Sequence, residues 1–158
     1  MRSSYDRIAA FLEIPIDESR WPRIVDLADP DPPRALFDAA EAEFGPVEIL
    51  VSNAGVTKDT LLLRMGEDDF TSVIDANLTA AYRVSKRATQ GMLRARAGRI
   101  IFMSSVVALL GSAGQANYAA AKAGIASLTI VLARELERFG VRVNCIAPGG
   151  VSTPIPGA

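Results

Sequence analysis

The stretch from Arg99 to Gly124, RIIFMSSVVALLGSAGQANYAAAKAG, decides the fold of this chain. Its apolar start, Arg99–Met103, predicts a short buried strand. A loop with two glycines follows over Ser104–Gly114. An Ala- and Leu-rich pattern then predicts a helix over Tyr118–Arg138, closed by Gly140. Strand, loop and helix in this order indicate one unit of an α/β protein.

The same alternation continues on both sides of that stretch. Before it, the sequence predicts a helix over Ala35–Phe44, a strand over Val47–Val51 and a long amphipathic helix over Glu67–Ala95. After it, a strand over Val141–Ala147 is broken by Pro148-Gly149. Because these strands are not half polar, we expect a parallel sheet covered on both faces, as in an α/β doubly wound fold.

The composition limits the classes of function. The chain has 158 residues, 49% of them hydrophobic and 22% charged, as in one globular domain. A net charge of −1 gives no reason to expect a nucleic-acid or membrane partner. With no histidine and one cysteine, Cys145, we expect no metal site, no Ser-His-Asp triad and no disulfide within the chain. We predict a cytoplasmic protein without a membrane span.

Tyr118 and Lys122 form the first candidate chemical pair. Four residues apart at the start of a helix, they lie on one face. A tyrosine has a pKa of about 10, and a neighbouring ammonium stabilises its phenolate form. The pair can therefore give or take a proton, although a solvated helix surface produces the same spacing.

Ser105 and Asn77 are two further candidates. Ser105 follows the Arg99–Met103 strand, and ligands of open α/β sheets bind outside the carboxyl ends of the strands. It could bind a substrate carbonyl or simply cap the strand. Asn77 interrupts the apolar face of the long helix, where a buried amide needs partners. It could equally be a satisfied polar group of the core.

The chain resembles the short-chain dehydrogenase/reductases in five linked motifs: Asn53-Ala54-Gly55 after a strand, Asn77, Ser105, Tyr118-x-x-x-Lys122 and Pro148-Gly149. The resemblance covers about Ile24 to Thr153 and implies a Rossmann-like sheet. Gly111–Gly124 and the DTLLLRM run at Asp59–Met65 are most similar to the 3-oxoacyl-[acyl-carrier-protein] reductases, features that related reductases share.

The resemblance implies a role for each matching residue. Tyr118 would protonate the substrate carbonyl, Lys122 would assist it and bind the nicotinamide ribose, and Ser105 would orient the carbonyl. Asn77 would hold a water of a proton relay. The cofactor, NADP with NAD left open, would be bound at these positions and at Asp26 with Leu27 beside it, Asn53, Ala54, Gly55, Pro148, Gly149 and Thr153.

The sequence departs from the family at both ends. The family opens with a Gly-rich turn before a helix, which binds the pyrophosphate. Here the first glycine is Gly45, and no G-x-x-x-G-x-G pattern occurs. We predict an atypical segment over residues 1–23 and a partial catalytic domain over 24–158, without the first βαβ unit and the last strand. A fragment, a misplaced start and a degenerate copy all stay open.

Two classes of function follow. The first is an NADPH-dependent reductase of 3-oxoacyl thioesters bound to acyl carrier protein, in fatty acid biosynthesis, or a reductase of another carbonyl. The second is a non-catalytic remnant that keeps the helices through which the family forms homo-oligomers, tetramers in complete relatives. An acidic carrier would need basic residues near the cleft, and the resemblance places one at Arg96, near Arg94 and Arg99. An ordinary solvated helix end explains these arginines equally well.

Overall fold

The computed structural model describes residues 32–150, in which three parallel strands alternate with helices. The elements in chain order are α1 (Pro32–Phe44), β1 (Ile49–Ser52), a 3₁₀ turn (Leu62–Arg64), α2 (Glu67–Ile74), a π-helical turn (Asp75–Thr79), α3 (Ala80–Ala95), β2 (Gly98–Met103), α4 (Val107–Leu110), α5 (Ala116–Leu136), a second 3₁₀ turn (Glu137–Phe139) and β3 (Val141–Ile146).

The expected α/β class with a parallel sheet is confirmed. β2 lies in the middle, and Ile101 pairs with Val51 of β1 and with Asn144 of β3. The expected loop at 104–114 differs, since it contains the one-turn helix α4. Gly140 ends the turn after α5 as expected, with φ at 75°, and a Cβ there would approach the carbonyl oxygen of Arg96 to 2.4 Å.

The long helix expected over 67–95 is interrupted by the π-helical turn around Asn77. The side-chain amide of Asn77 donates a hydrogen bond of 2.8 Å to the carbonyl oxygen of Val73. In a regular α-helix that oxygen accepts the backbone N–H of Asn77. The side chain competes for this acceptor, which accounts for the local widening. Single π turns are frequent at functional sites.

The sheet buries one face and exposes the other. The buried face contributes to a core that packs against α1, α3 and α5, and burying each large apolar side chain there stabilises the fold by about 1.5–3 kcal/mol. Its strand members are Leu50, Ile100, Phe102, Val141 and Val143.

The opposite face is bare within residues 32–150, so the expectation of a sheet covered on both faces is met on one face only. Ile49 is 62% exposed there, and Val51 and Ile146 are also exposed. The strand order β1-β2-β3 gives the reason, because right-handed crossovers that advance in one direction place their helices on one face. A doubly wound sheet covers its second face after the strand order reverses.

Arg87 connects the two outer helices of the covered face. Its guanidinium in α3 donates hydrogen bonds of 2.7 Å to Asp38 Oδ1 and 2.6 Å to Glu41 Oε2, both in α1. The hydrogen bond that Arg87 donates to the Glu41 carboxylate raises the pKa of Arg87 above its usual value. These hydrogen bonds hold α1, the helix expected before β1, against α3.

One helical stretch in the described part of the chain, Ala116–Phe139, is long and apolar enough to cross a membrane by length and composition. Its residues Ile125 and Leu136 belong to the core formed with the sheet, and its Lys122 is buried. This packing is that of a core helix.

Candidate functional site

The carboxyl ends of the three strands bring the expected motifs to one edge of the sheet. β1 leads into Asn53-Ala54-Gly55, β2 into Ser104-Ser105 and β3 into Pro148-Gly149. Backbone hydrogen bonds join the last two segments: Ser104 N–H donates to Ile146 O at 2.7 Å, and Val106 N–H donates to Pro148 O at 3.0 Å. Parallel strands make this possible because their carboxyl ends share one edge.

Lys122 is buried at this edge, with 4% of its surface exposed. Its Nζ donates a hydrogen bond of 2.7 Å to the carbonyl oxygen of Met103, the last residue of β2. Burial lowers the pKa of Lys122 below the usual lysine value, and the charge of Cys145 opposes this shift. A lysine with one backbone partner and an environment that disfavours its charge has donor capacity left for a ligand.

Tyr118 lies one helical turn before Lys122 in α5 and is half-buried. Its ring centroid is 5.5 Å from Lys122 Nζ. Among residues 32–150 the Tyr118 hydroxyl has no hydrogen-bond partner. The expected proximity of the two side chains is thus observed, whereas the hydrogen bond of Lys122 goes to the end of β2 and not to the phenol.

The two serines after β2 differ in burial and in hydrogen bonding. Ser104 is buried, and its Oγ donates a hydrogen bond of 2.8 Å to the carbonyl oxygen of Lys122, which holds α5 against β2. Ser105 is half-buried, and its Oγ accepts the N–H of Val107 at 3.2 Å, at the start of α4. Ser105 therefore binds the first N–H group of α4, whose N-cap is Val106, and its hydroxyl proton remains free within the described residues to donate to another group.

Asn77 and Gly55 join β1 to this cluster. Asn77 is 1% exposed, and its amide donates to Val56 O at 2.9 Å as well as to Val73 O. Its Oδ1 is buried without a partner, alone among the buried side-chain polar atoms of residues 32–150. A Cβ on Gly55 would approach that Oδ1 to 2.4 Å and Lys122 Nζ to 3.4 Å. The side chains of Asn77 and Lys122 therefore meet at the backbone of Gly55.

The remaining cofactor positions are only partly within the described chain. Asn53, Ala54 and Gly149 are exposed along the carboxyl edge, and Pro148 is half-buried there. Asp26, Leu27 and Thr153 lie outside residues 32–150, as does the segment 1–23. No group of three or more His, Cys, Asp or Glu side chains that could hold a metal ion occurs among the residues that the structure describes.

Asn117 is a buried residue next to this cluster that the sequence analysis did not single out. It is fully buried beside Tyr118, and it donates hydrogen bonds to Lys58 O and Asp69 O. A signal was available, because an asparagine in the first turn of an apolar helix can bind neighbouring backbone groups instead of solvent. The sequence does not reveal which distant carbonyls those are.

The arginines expected beside the cleft lie elsewhere. Arg99 is at the amino end of β2, whereas Ser105 follows its carboxyl end, so the two are roughly 20 Å apart along the strand. Arg96 donates to Arg138 O at 3.2 Å and lies over the Phe139 ring, at the same amino end. Within one chain this cluster does not border the edge that carries Lys122.

Comparisons with known proteins agree with this arrangement. A family model described as short chain dehydrogenase matches residues 7–158. The 3-oxoacyl-[acyl-carrier-protein] reductase FabG of Vibrio cholerae is 47% identical over 129 residues, which cover 82% of this chain and 53% of that protein.

Two further relatives carry the same enzyme name. MabA of Mycobacterium avium is 49% identical, with 81% of this chain and 50% of that protein covered. FabG of Escherichia coli is 44% identical, with 82% and 53% covered. The chain therefore spans about half the length of the curated relatives it matches.

Proposed function

The chain belongs to the short chain dehydrogenase family, and from this membership we propose that it carries the proton-delivery site of a 3-oxoacyl thioester reductase. The substrate would be a 3-oxoacyl group on acyl carrier protein, reduced to the 3-hydroxyacyl form in fatty acid biosynthesis. The names of the relatives, at 44% to 49% identity, support this substrate class.

The observation that carries the proposal is the burial of Lys122 next to Tyr118 at the ligand-binding edge of the sheet. A buried ammonium without a paired charge is costly, and buried groups of this kind concentrate at functional sites. Lys122 has one backbone partner, an aromatic ring 5.5 Å away and, across Gly55, the unpaired oxygen of Asn77. A packing role alone needs no charge at this place.

Each residue of the cluster has a proposed task in the reduction. The Tyr118 hydroxyl donates its proton to the carbonyl oxygen of the substrate, and the Ser105 hydroxyl donates a hydrogen bond to the same oxygen. Lys122 stabilises the phenolate that remains, and the Asn77 oxygen accepts a hydrogen bond from a water that returns the proton. When bound, a nicotinamide cofactor supplies the hydride to the carbonyl carbon.

The residues present fit one end of such a cofactor better than the other. Exposed backbone at Asn53, Ala54 and Gly149, together with Lys122, leaves room for the nicotinamide and its ribose. The sequence has no Gly-rich turn for the pyrophosphate. We propose NADPH as the cofactor, NAD being the alternative, and expect this chain to bind it weakly.

Titration of NADPH fluorescence with the purified chain tests this expectation. Saturation should need far more than micromolar cofactor, because the sequence contains no Gly-rich turn to supply helix-dipole and backbone N–H contacts to the pyrophosphate. In parallel, NADPH oxidation is followed with a small soluble 3-oxoacyl thioester. Slow oxidation that depends on the thioester supports the proposal, and none at any cofactor concentration contradicts it.

A second candidate is a non-catalytic remnant that associates with copies of itself. Its support is a set of exposed apolar side chains on the outer faces of α3 and α5, namely Tyr82, Ile130 and Val131. In this reading the chain forms a homo-oligomer and binds no dinucleotide. The same titration separates the candidates, since only the reductase needs NADPH. For either candidate we propose a cytoplasmic location.

A further inference from the structure

Two buried asparagines bind the segment after β1 in the same way. Asn77 donates its amide protons to Val56 O and Val73 O, and Asn117 donates its own to Lys58 O, at 3.0 Å, and Asp69 O, at 2.9 Å. Each amide therefore bridges the segment 56–58 and helix α2. Two carbonyls of one segment, those of Val56 and Lys58, are thus bound from the π-helical turn and from α5.

Asn117 makes a third bond that Asn77 lacks. Its Oδ1 accepts the backbone N–H of Tyr118 at 2.8 Å. The first N–H groups of a helix have no partner within the helix, and α5 begins at Ala116. One side chain, with no exposed surface, thus joins the segment 56–58, helix α2 and the first turn of the helix that carries Tyr118.

Further contacts also join the residues after β1 to α2 and to the residues just before α5. Thr60 N–H donates to Gly114 O at 2.8 Å, and the Gln115 side chain donates to Asp59 Oδ2 at 2.8 Å. Both bonds join residues 59–60 to residues 114–115. Lys58 forms an ion pair with Asp69. Asp59 and Lys58 are exposed and Gln115 is half-buried, so water competes for the contacts that these side chains make. The buried amide of Asn117 is the member of this set that water does not reach.

We propose that Asn117 is a positioning residue, which fixes Tyr118 relative to residues 53–58, the segment after β1. We call the three hydrogen bonds of the Asn117 side chain the clasp. The proposal rests on the proposed function, since it assigns to this clasp a task that a reductase requires. In that function Tyr118 must meet the carbonyl oxygen that Ser105 also contacts, next to the cofactor positions 53–55. A displacement of about 1 Å at such a position reduces turnover roughly 10²-fold.

Amide hydrogen exchange on this chain tests the clasp without any need for activity. Asn117→Ala should lower the protection of the Thr60 and Tyr118 amides and leave Phe102 in the central strand protected. Thr129→Val is the matched control, because Thr129 is buried in the same helix and its hydroxyl donates to Ile125 O at 2.8 Å. It should change none of these amides.

Asn117→Asp separates the two halves of the clasp. A carboxylate still accepts the Tyr118 N–H but donates nothing to Lys58 O and Asp69 O. Tyr118 should stay protected while Thr60 loses protection, and Thr60 protection should return at acidic pH, where a protonated carboxyl again donates one bond. Unchanged Thr60 protection in both variants, or an equal loss at Phe102, would overturn the proposal.

Kinetics then separate positioning from fold maintenance. In the NADPH oxidation assay, Asn117→Ala should lower kcat roughly 10²-fold with little change in the KM of the thioester, as expected when only the transition state is affected. A higher KM at unchanged kcat would contradict the proposal. An inactive wild-type chain would refute the proposed reductase alone, and the exchange pattern would still decide the clasp.

Discussion

The chain contains two Tyr-x-x-x-Lys pairs whose surroundings differ, Tyr118 with Lys122 in α5 and Tyr82 with Lys86 in α3. The lysine Nζ is 5.5 Å from the tyrosine ring centroid in the first pair and 5.6 Å in the second. Lys86 is exposed, and its Nζ donates to the Tyr82 hydroxyl at 3.3 Å. Lys122 is buried, and its Nζ donates to the end of β2.

The comparison shows that helical spacing sets the geometry within a pair, and that the neighbours set its chemistry. In α3, water surrounds the lysine and the tyrosine accepts its hydrogen bond. In α5, burial lowers the pKa of Lys122, and the phenol is left without a partner among residues 32–150. The Tyr82 pair is therefore a control for the Tyr118 pair within the same molecule.

The largest expected difference is in turnover after the phenol is removed. Tyr118→Phe should lower the rate of NADPH oxidation about 10²–10⁴-fold, because the proposed general acid is lost while the ring still packs. Tyr82→Phe should leave the rate unchanged. Initial rates with the soluble thioester measure both variants. Equal rates for the two variants would show that the proton comes from another group.

The second largest expected difference between the two pairs is in turnover after the lysine charge is removed. Lys122→Met should lower turnover roughly 10²-fold, because the phenolate loses its nearby cation. Lys86→Met should not alter it. A second readout is the free energy of unfolding as a function of pH, compared between wild type and each variant.

The sign of that pH dependence follows from the lowered pKa of Lys122. Below the folded pKa the lysine is charged in both states, and the folded state bears the full cost of burying the charge. As pH rises through the folded pKa towards the unfolded value of about 10.4, the folded state releases its proton first, so the cost disappears.

Relative to Lys122→Met, the wild type should therefore gain unfolding free energy in alkaline solution, by about 1.4 kcal/mol for each unit between the two pKa values. Urea titrations at several pH values measure this difference. They are best made in a Cys145→Ser background, because the charge of Cys145 also acts on Lys122. The difference in unfolding free energy between wild type and Lys86→Met should not change with pH. A difference between wild type and Lys122→Met that falls as pH rises would contradict the burial argument.

The smallest expected effect is on stability, at Gly55, whose backbone lies close to Asn77 and Lys122. Gly55→Ala would place a Cβ against Asn77 Oδ1 and Lys122 Nζ, and overpacking of this kind costs about 1–3 kcal/mol of unfolding free energy. Gly91→Ala in α3 is the matched control. Its Cβ would meet only Glu41, at 3.6 Å, and alanine stabilises a helix interior by about 0.5–1 kcal/mol over glycine. Thermal unfolding of the two variants should shift in opposite directions.

Most elements of the fold could be predicted because their signals are local. The apolar runs of β2 and β3 and the amphipathic helix that ends at Ala95 follow from short-range periodicity, and the observed bounds differ from the expected ones by one or two residues. The π turn at Asp75–Thr79 was not predicted, since it depends on a side-chain hydrogen bond that competes with the helix. The sheet face that is bare within residues 32–150 was not predicted either, because coverage depends on strand order.

The site divides in the same way. The motifs singled out Tyr118, Lys122, Ser105 and Asn77, and their placement at one sheet edge follows from parallel strands. The partner of Lys122, the role of Ser104 and the clasp of Asn117 involve backbone carbonyls far away in the sequence. Any residue supplies such a carbonyl, so no side-chain pattern marks it.

By itself, the sequence determined the α/β class and the order of the elements, and it singled out the residues that we propose transfer a proton. Side-chain type and spacing carry that information, because strands and helices repeat at fixed periods. Only the tertiary structure decided which of two equally spaced Tyr-Lys pairs is buried. Burial depends on what packs around a residue, and for Lys122 the neighbours are Met103 of β2 and Gly55 after β1, brought close by the parallel sheet.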